Sequence, residues 1–543
     1  MMVDKIAAVV RGCGIPSIKS FDWSVMSLLL PFRPAMTGFV AGAIVLSQLV
    51  ACGGASKADV ADTAAGPTIQ SLDEEGYSPP TSFSSDYCSS NDFPAQWEWR
   101  ESTVRPQVRG AVSGVPLIRH LRDGRLIASY TKLGGHRSAP NNTDGHDASV
   151  GPFRRALFTQ WKNGDVFEIY PAIYEGEDQQ IYIGPNFDSE ADYSSKNANV
   201  PKNITVRGIT VNGVRPVIKL PATGASNATL GQSLIYIDKS EGITIENLEV
   251  ISNDTGLGRI GKAGIYINGG KNVTLRNLRI HGFENRSANG IFGTSDNSGT
   301  MLIEGVELSG NGGGNGPEHN IYINYSKDDS KFTVKMLGSW SHDARYGHLF
   351  KSRAQVNILE GNYFQGSRAT KPGEMRESYL VDVPDGGVLT ARNNIFVKTA
   401  SGDNTNGASL AYAAEGSIGR FDTTRPWALT VEHNTFVAFT QYFDNQKHQV
   451  YPFLLNAIAP VKAENINVNG NLFVGYCRKK SSLYGSPGYF GEGYMMADFN
   501  AIDQSFRPRK PQPSKSGLAP GSLGYQHKQS NVRRRTNAIG ARD

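Results

Sequence analysis

The chain has 543 residues, 60 of them Gly, with 10% aromatic residues and a formal net charge of +5. It holds no long Leu/Ala/Glu/Lys-rich stretch to build helices, and abundant Asn with many Ile, Val and Thr residues points to an all-β fold. Basic residues are scattered except near the C-terminus, so no concentrated cationic face is offered to a phosphate backbone and no nucleic-acid partner is expected.

Near the N-terminus, residues 38–51 form an apolar run of 14 residues behind Arg33, too short to span a bilayer and suited to a signal-peptide core. The run ends Leu49-Val50-Ala51-Cys52-Gly53, which resembles a bacterial lipobox. Residues 1–51 are therefore expected to be a signal peptide, with Met26 an alternative start to Met1 and Cys52 the lipidated first residue of the mature chain. Several acyl chains anchor stably where one does not, so the membrane becomes a partner through the lipid. Gly53, in place of an Asp that would signal inner-membrane retention, favours an outer-membrane lipoprotein facing the periplasm or the cell surface. Of the four cysteines, Cys88 and Cys477 would remain as thiols; they flank opposite ends of the periodic middle of the chain, and a bridge between them stays open.

Residues 53–91, rich in Ala, Ser, Asp and Pro, read as a flexible tether. Residues 92–160, with apolar runs at 115–118 and 126–130, read as an N-terminal capping region. From Gly164-Asp165 the chain becomes periodic, and residues 161–480 are predicted to form one solenoid. Four segments carry apolar residues at i, i+2, i+5 and i+7: Ile204/Val206/Ile209/Val211, Ile243/Ile245/Leu248/Val250, Val273/Leu275/Leu278/Ile280 and Met301/Ile303/Val306/Leu308. Period two within each pair means strand, and the three-residue step means a sharp bend with both strands facing one interior. Later segments place Asn362/Phe364, Asn394/Phe396, Asn434/Phe436 and Asn471/Phe473 at i+5 and i+7, so inward Asn side chains would hydrogen-bond from coil to coil while Phe rings stack.

A second strand series runs between these segments, with Ile265, Ile291, Ile321, Leu349, Leu380 and Leu410 as its recurring centre. The architecture this predicts is a parallel β-helix, right-handed by analogy with known β-helices. Residues 481–543 lose the repeat and read as a C-terminal cap and basic tail, with Arg507-Pro508-Arg509-Lys510 and 533–535 as its charged runs.

Ionisable residues concentrate where the aliphatic coils give way to the Asn–Phe coils. Stacking would bring His319, Tyr322, His348, Lys351, Arg353, Tyr379 and Asp382 within a few coils of one another, which costs desolvation unless they pair or work. Each also has a plainer role. Lys351 and Asp382 fall at equivalent positions of adjacent coils, which suits a structural ion pair. His342 and His281 share a position, as a recurring turn histidine would. Tyr322 aligns with Tyr266 and Phe292, which suits aromatic stacking. Asp385 before Gly386-Gly387 reads as a turn residue, and Glu415 as a solvated loop residue.

Five blocks carry a resemblance: Gly-Asn-Gly-Pro-Glu-His-Asn-Ile-Tyr-Ile (314–323), Ser-His-Asp-Ala (341–344), Gly-His-Leu-Phe-Lys-Ser-Arg-Ala (347–354), Ser-Tyr-Leu-Val-Asp-Val-Pro-Asp-Gly-Gly (378–387) and Ala-Glu-Gly (414–416). Together they resemble a group of exported bacterial right-handed β-helix proteins of the pectate-lyase-like superfamily. The chain departs from that pattern where a Glu-Phe-Pro run reads Asp382-Val383-Pro384. The resemblance implies polysaccharide handling, and a shared fold does not decide the reaction.

The residue types weigh the chemistry independently. β-Elimination from a uronic-acid polymer needs a cation for the carboxylate, a base for the C5 proton and an acid for the leaving oxygen. His319, His348, Lys351, Arg353, Tyr379 and Asp382 are the candidate catalytic residues on this reading, with Asn320, Tyr322, His342, Arg345 and Glu377 as candidate substrate contacts. Hydrolysis would instead pair carboxylates drawn from Glu377, Asp382, Asp385 and Glu415. No metal motif and no cofactor signature appears, although calcium held by scattered carboxylates stays open. The expected function is an envelope-anchored polysaccharide lyase acting on an anionic exopolysaccharide, as a monomer. The alternatives are a non-catalytic polysaccharide-binding or assembly protein, a C5-epimerase and a glycoside hydrolase.

Overall fold

The computed structural model describes residues 114–133, 161–175, 179–185, 200–220, 233–252, 262–284, 288–313, 318–366, 376–398, 408–415, 425–438, 451–455 and 461–474, together with the short strands Ser482–Leu483, Ser486–Pro487 and Met495–Ala497. All of them belong to the compact unit Phe83–Asp543. Cys52 and the segment 1–51, the 53–91 tether, Cys88, Cys477 and the basic runs at 507–510 and 533–535 lie outside the described residues.

The described residues form a right-handed parallel β-helix, the hand that parallel crossover connections take almost without exception. Each coil contributes one strand to each of three parallel sheets, as Thr244–Glu246, Glu249–Ile251 and Ala263–Asn268 do. Sheet 1 has 12 strands, sheet 2 has 11 and sheet 3 has 9. The first two strands of sheet 1, Ile118–Arg122 and Arg125–Tyr130, form an antiparallel hairpin that pairs with Val166–Ile169 at the N-terminal end of the stack.

The bend between sheets 1 and 2 is one residue in the left-handed region: Asn247, Asn277, Gly305, Gly338, Gly361, Asn393, His433 and Gly470 hold it on successive coils. Gly and Asn accept that backbone at least cost, which is why these residue types recur there. The i, i+2, i+5, i+7 positions point inward as expected in the segments beginning at Ile243, Val273 and Met301, where all twelve side chains are buried. The segment beginning at Ile204 departs from the pattern. Val211 is exposed, because Asn212-Gly213, both at positive φ, make a tight antiparallel excursion, and Val217–Lys219 supplies the strand of sheet 2 instead.

The Asn ladder forms as the spacing requires. Asn362 Nδ2 donates to Asn394 Oδ1 at 3.0 Å, Asn394 Nδ2 to Asn434 Oδ1 at 3.0 Å, and Asn434 Nδ2 to Asn471 Oδ1 at 3.1 Å. Phe364, Phe396, Phe436 and Phe473 stack beneath it with ring centroids 4.6–5.3 Å apart.

On sheet 3 the register corrects an alignment. Tyr322 pairs with Lys351, and Phe350 with Val381, so the residues in line with Ile321 are Phe350, Val381 and Leu410 rather than Leu349 and Leu380. The one-residue shift matters, because alternation along a strand then aligns Tyr182, Tyr236, Tyr266, Phe292, Tyr322, Lys351 and Asp382 in a single outward file.

Candidate functional site

Up to Tyr322 the outward file of sheet 3 is aromatic, with ring centroids 4.8–5.5 Å apart from Tyr236 onward, stacked as far as Phe292 and tilted at Tyr322. At the next coil it becomes Lys351, and at the one after that Asp382. Arg353 follows Lys351 by two residues and shares its face; its amide donates to the Ile323 carbonyl at 2.8 Å, which extends the ladder past the strand Phe350–Ser352. A cation pair is thereby fixed by strand geometry and not by loop conformation.

Three carboxylates surround it. Asp382 lies across from Lys351, with its Oδ2 3.1 Å from Nζ. Asp385, in the turn ahead of Gly386 and Gly387, takes an Arg353 NH1 contact at 2.5 Å. Glu415, just past the strand Ala408–Tyr412, receives the Lys351 ammonium on Oε1 and the Arg353 guanidinium on Oε2. Arg353 Nε also reaches the Tyr322 hydroxyl at 3.3 Å.

A second column stands where the chain enters sheet 3. The rings of His319 and His348 stack at 4.8 Å, those of His348 and Tyr379 at 5.3 Å, and Tyr322 packs edge-on against His319. Gly347 makes this possible: at φ 70°, a Cβ there would lie 2.2 Å from His319 Nδ1. The backbone sets both tautomers. His348 N–H donates to His319 Nδ1 at 2.8 Å and Tyr379 N–H to His348 Nδ1 at 3.1 Å, so each neutral ring carries its proton on Nε2. Burial holds both imidazoles well below their ordinary range, reinforced at His319 by Lys351 and Arg353, and at His348 by His319 and Lys351.

The electrostatics divide the carboxylates. Asp382 is fully buried, and burial pushes its pKa up to about 6 against the opposing pull of Lys351. Lys351 and His348 Nε2, the latter at 3.3 Å, face Oδ2 off the hydrogen-bond direction, so neither oxygen of Asp382 has a well-formed hydrogen bond among the described residues. Glu415 goes the other way. Burial would raise it, but the hydrogen bond and charge of Lys351, joined by Arg353, hold it below the usual carboxylate range. Burial would lower Lys351, but Asp382 and Glu415 together raise it, so it stays an ammonium.

The structure thus gathers His319, His348, Lys351, Arg353, Tyr379, Asp382 and Tyr322. It turns other expected contacts elsewhere. Asn320 is buried in the coil interior, donating to Ser341 Oγ at 3.0 Å and the His342 carbonyl at 2.9 Å, because its small amide satisfies the polar backbone there. His342 belongs to sheet 2, stacked 3.8 Å from Trp340 with Nδ1 at 2.5 Å from Asp343, in a file that includes His281. The Arg345 guanidinium lies over Tyr346 and its charge acts on Glu284. Glu377 is fully buried in the short strand Arg376–Glu377, which pairs with Tyr346–Gly347.

Three participants escape a reading coil by coil. Asp385 is in its turn, as expected, and binds Arg353 as well. Glu415 stands partly exposed in a turn past its strand, as expected, but it also binds Lys351 and Arg353; it comes from two coils further along, and its only sequence signal is the Ala-Glu-Gly block. Lys398 ends an apolar strand of sheet 2, and its buried ammonium donates to the Ser378 carbonyl beside Tyr379. A lysine closing the run Ile395–Lys398 is the one hint the sequence offers.

His348, Asp382 and Glu415 bring one ligand atom each within 4.8 Å of one another, which invites a metal. The arrangement does not fit one. The Tyr379 amide occupies His348 Nδ1 and leaves a proton on Nε2, and the Lys351 ammonium bridges the two carboxylates. Calcium would further ask for six or more oxygens.

No protein-family model and no curated protein matches the chain. Among solved structures, it is similar to pectate lyase Pel9A, at 14% identity and a TM-score of 0.38 over 71% of this chain and 87% of that one. It is also similar to ORF18 of Geobacillus virus E2, at 11% identity and TM-score 0.33 over 64% of this chain and 55% of that one. A third likeness is to the PL6 family polysaccharide lyase Pedsa3628 from Pseudopedobacter saltans, at 12% identity and TM-score 0.29 over 68% and 96%. Nothing about the reaction is decided by likenesses this distant.

Proposed function

We propose that the chain is a carbohydrate-active enzyme that cleaves a uronate-bearing polysaccharide by β-elimination. One observation carries the reading: Lys351 and Arg353, fixed two residues apart on a sheet face, grip a single carboxylate between ammonium and guanidinium. A uronate carboxylate held in the same way would have the charge of its C5 carbanion spread toward two fixed cations, the largest stabilisation such a site can supply. A base removes the C5 proton, the freed electron pair forms the C4–C5 double bond, the C4–O bond breaks, and the leaving oxygen takes a proton.

The geometry redistributes those roles among the candidates. The imidazoles are poor bases here, since backbone amides occupy both Nδ1 atoms and leave the proton on Nε2, and His348 turns its Nε2 toward Asp382. Asp382, near pKa 6, is the group best matched to proton abstraction at neutral pH. Tyr322, hydrogen-bonded by Arg353, is suited to protonate the leaving oxygen. We further propose, on the sequence alone, that the enzyme works outside the cytoplasm, tethered through Cys52.

A second reading has its own support. Asp382 is raised and Glu415 lowered, with carboxylate oxygens within 4.8 Å, the divergent pair that a retaining glycoside hydrolase uses as acid and nucleophile. Incubating the full chain with a panel of uronate polymers separates the readings. Elimination yields ultraviolet absorbance from unsaturated ends; hydrolysis yields reducing ends without it. Intact polymer throughout, with retention on the glycan, would leave a binding protein and sink both.

A further inference from the structure

Glu415 sits oddly for a counter-ion. It is the outermost of the three carboxylates, with 37% of its side chain exposed, yet it takes both cations at once. Asp382 beneath is fully buried and already faces Lys351, and Asp385 already faces Arg353. Each cation therefore has a partner without Glu415. The chain also distorts to deliver it: Ala413, two residues earlier, stands at φ 57°, a conformation that costs an alanine and persists only where its surroundings enforce it. The Ala413 amide donates to the Val383 carbonyl at 2.8 Å, which pins the reversal to the coil that carries Asp382.

Charge counting limits what can enter. Two cations, Lys351 and Arg353, face three carboxylates, Asp382, Asp385 and Glu415. A fourth carboxylate arriving without a departure would add repulsion in a half-buried site of reduced dielectric. A carboxylate that takes the place of Glu415 changes neither the charge count nor the hydrogen bonds on Lys351 and Arg353. A neutral sugar offers no such exchange, and expelling Glu415 for it would leave two half-buried cations under-paired.

We propose that Glu415 is a resident pseudo-ligand: its carboxylate fills the carboxylate subsite of Lys351 and Arg353, and a sugar carboxylate binds by displacing it. The inference rests on the reading of these cations as the uronate-binding pair and adds how that pair selects for acidic sugars. Glu415 is thus a specificity determinant, swung aside when a uronate arrives and returned when the product leaves.

The test is chemical replacement in the full chain. In Glu415→Ala the subsite is emptied, so acetate and D-galacturonate should each raise the melting temperature in a dose-dependent, saturable way at matched ionic strength. Acetamide and D-galactose should not. The wild type should need at least tenfold more of either anion for the same occupancy, because its own glutamate competes. Glu415→Gln, which keeps the side-chain volume, should fall between the two and guards against a folding defect in the alanine variant. Equal response of wild type and variant to the anions, or equal response of the variant to acetamide, would overturn the proposal. Because this readout needs no turnover, exchange without cleavage of any polymer would refute the enzymatic reading alone, and cleavage without exchange would refute the pseudo-ligand alone.

Discussion

Replacing Asp382 by Asn should make the protein more stable at neutral pH while abolishing its activity. The folded pKa of about 6 stands roughly two units above the ordinary value of 3.8, because burial disfavours the charge more than Lys351 favours it. A folded pKa raised above the unfolded one means that the native state holds this proton more tightly. Its contribution to stability is then complete below about pH 4 and is lost as the pH climbs through 6. At about 1.4 kcal/mol per unit the loss comes to about 3 kcal/mol, and full burial leaves no solvent screening to discount it. An asparagine mimics the protonated acid, so the two proteins should be nearly equal at pH 4 and differ by about 3 kcal/mol in favour of Asp382→Asn at pH 7.5. Urea unfolding of both proteins at the two pH values measures this, and taking the difference cancels other titrating groups. If the variant is the less stable one at pH 7.5, the Lys351 pairing outweighs desolvation and Asp382 is a structural partner with an ordinary acidity.

Asn394→Ala removes four hydrogen bonds from the ladder at once, to Asn362 N–H and Nδ2, to Asn434 Oδ1 and to the Leu359 carbonyl, and should cost about 3–5 kcal/mol in thermal or urea unfolding. Nitrogen-detected NMR should find His319 and His348 still as neutral Nε2–H tautomers at pH values where a free imidazole is protonated, whereas titration of either near its ordinary range would show that the stacked column is open to water. Arg353→Lys keeps the charge but loses the fork that spans Asp385, Glu415 and Tyr322, so kcat/KM on the cleaved polymer should fall by about 100-fold. Lys398→Met should free the Ser378–Tyr379 segment, lowering kcat with little change in KM and broadening the His348 resonance.

The solenoid was legible because its causes are local and repeated. Alternating aliphatics, a left-handed corner and an inward Asn each recur with every coil, so a single error does not propagate. The failures are equally local. Val211 was drawn outward by the Asn212-Gly213 turn, and two leucines, Leu349 and Leu380, invited a register one residue off from the true file through Phe350 and Val381. The site was half legible. Residues on one strand, such as Lys351 and Arg353, declare their common face through period two. Glu415 and Lys398 do not, since they arrive from loops and from another sheet, with no periodicity linking them to Lys351. Polar residues misled for the opposite reason. Asn320 and His342 satisfy buried backbone and neighbouring carboxylates, and residue type alone does not separate that duty from catalysis.

The central event is the loss of a proton from a uronate held by Lys351 and Arg353, and the mass of the released fragments reports it most directly. Fragments cut from a uronate polymer by the purified chain should be lighter by one water than their hydrolytic counterparts wherever they carry a newly cut non-reducing end, and should disappear when Arg353 is replaced by Met. The full water on the newly cut non-reducing ends, or the same unsaturated fragments from the Arg353→Met protein, would contradict it.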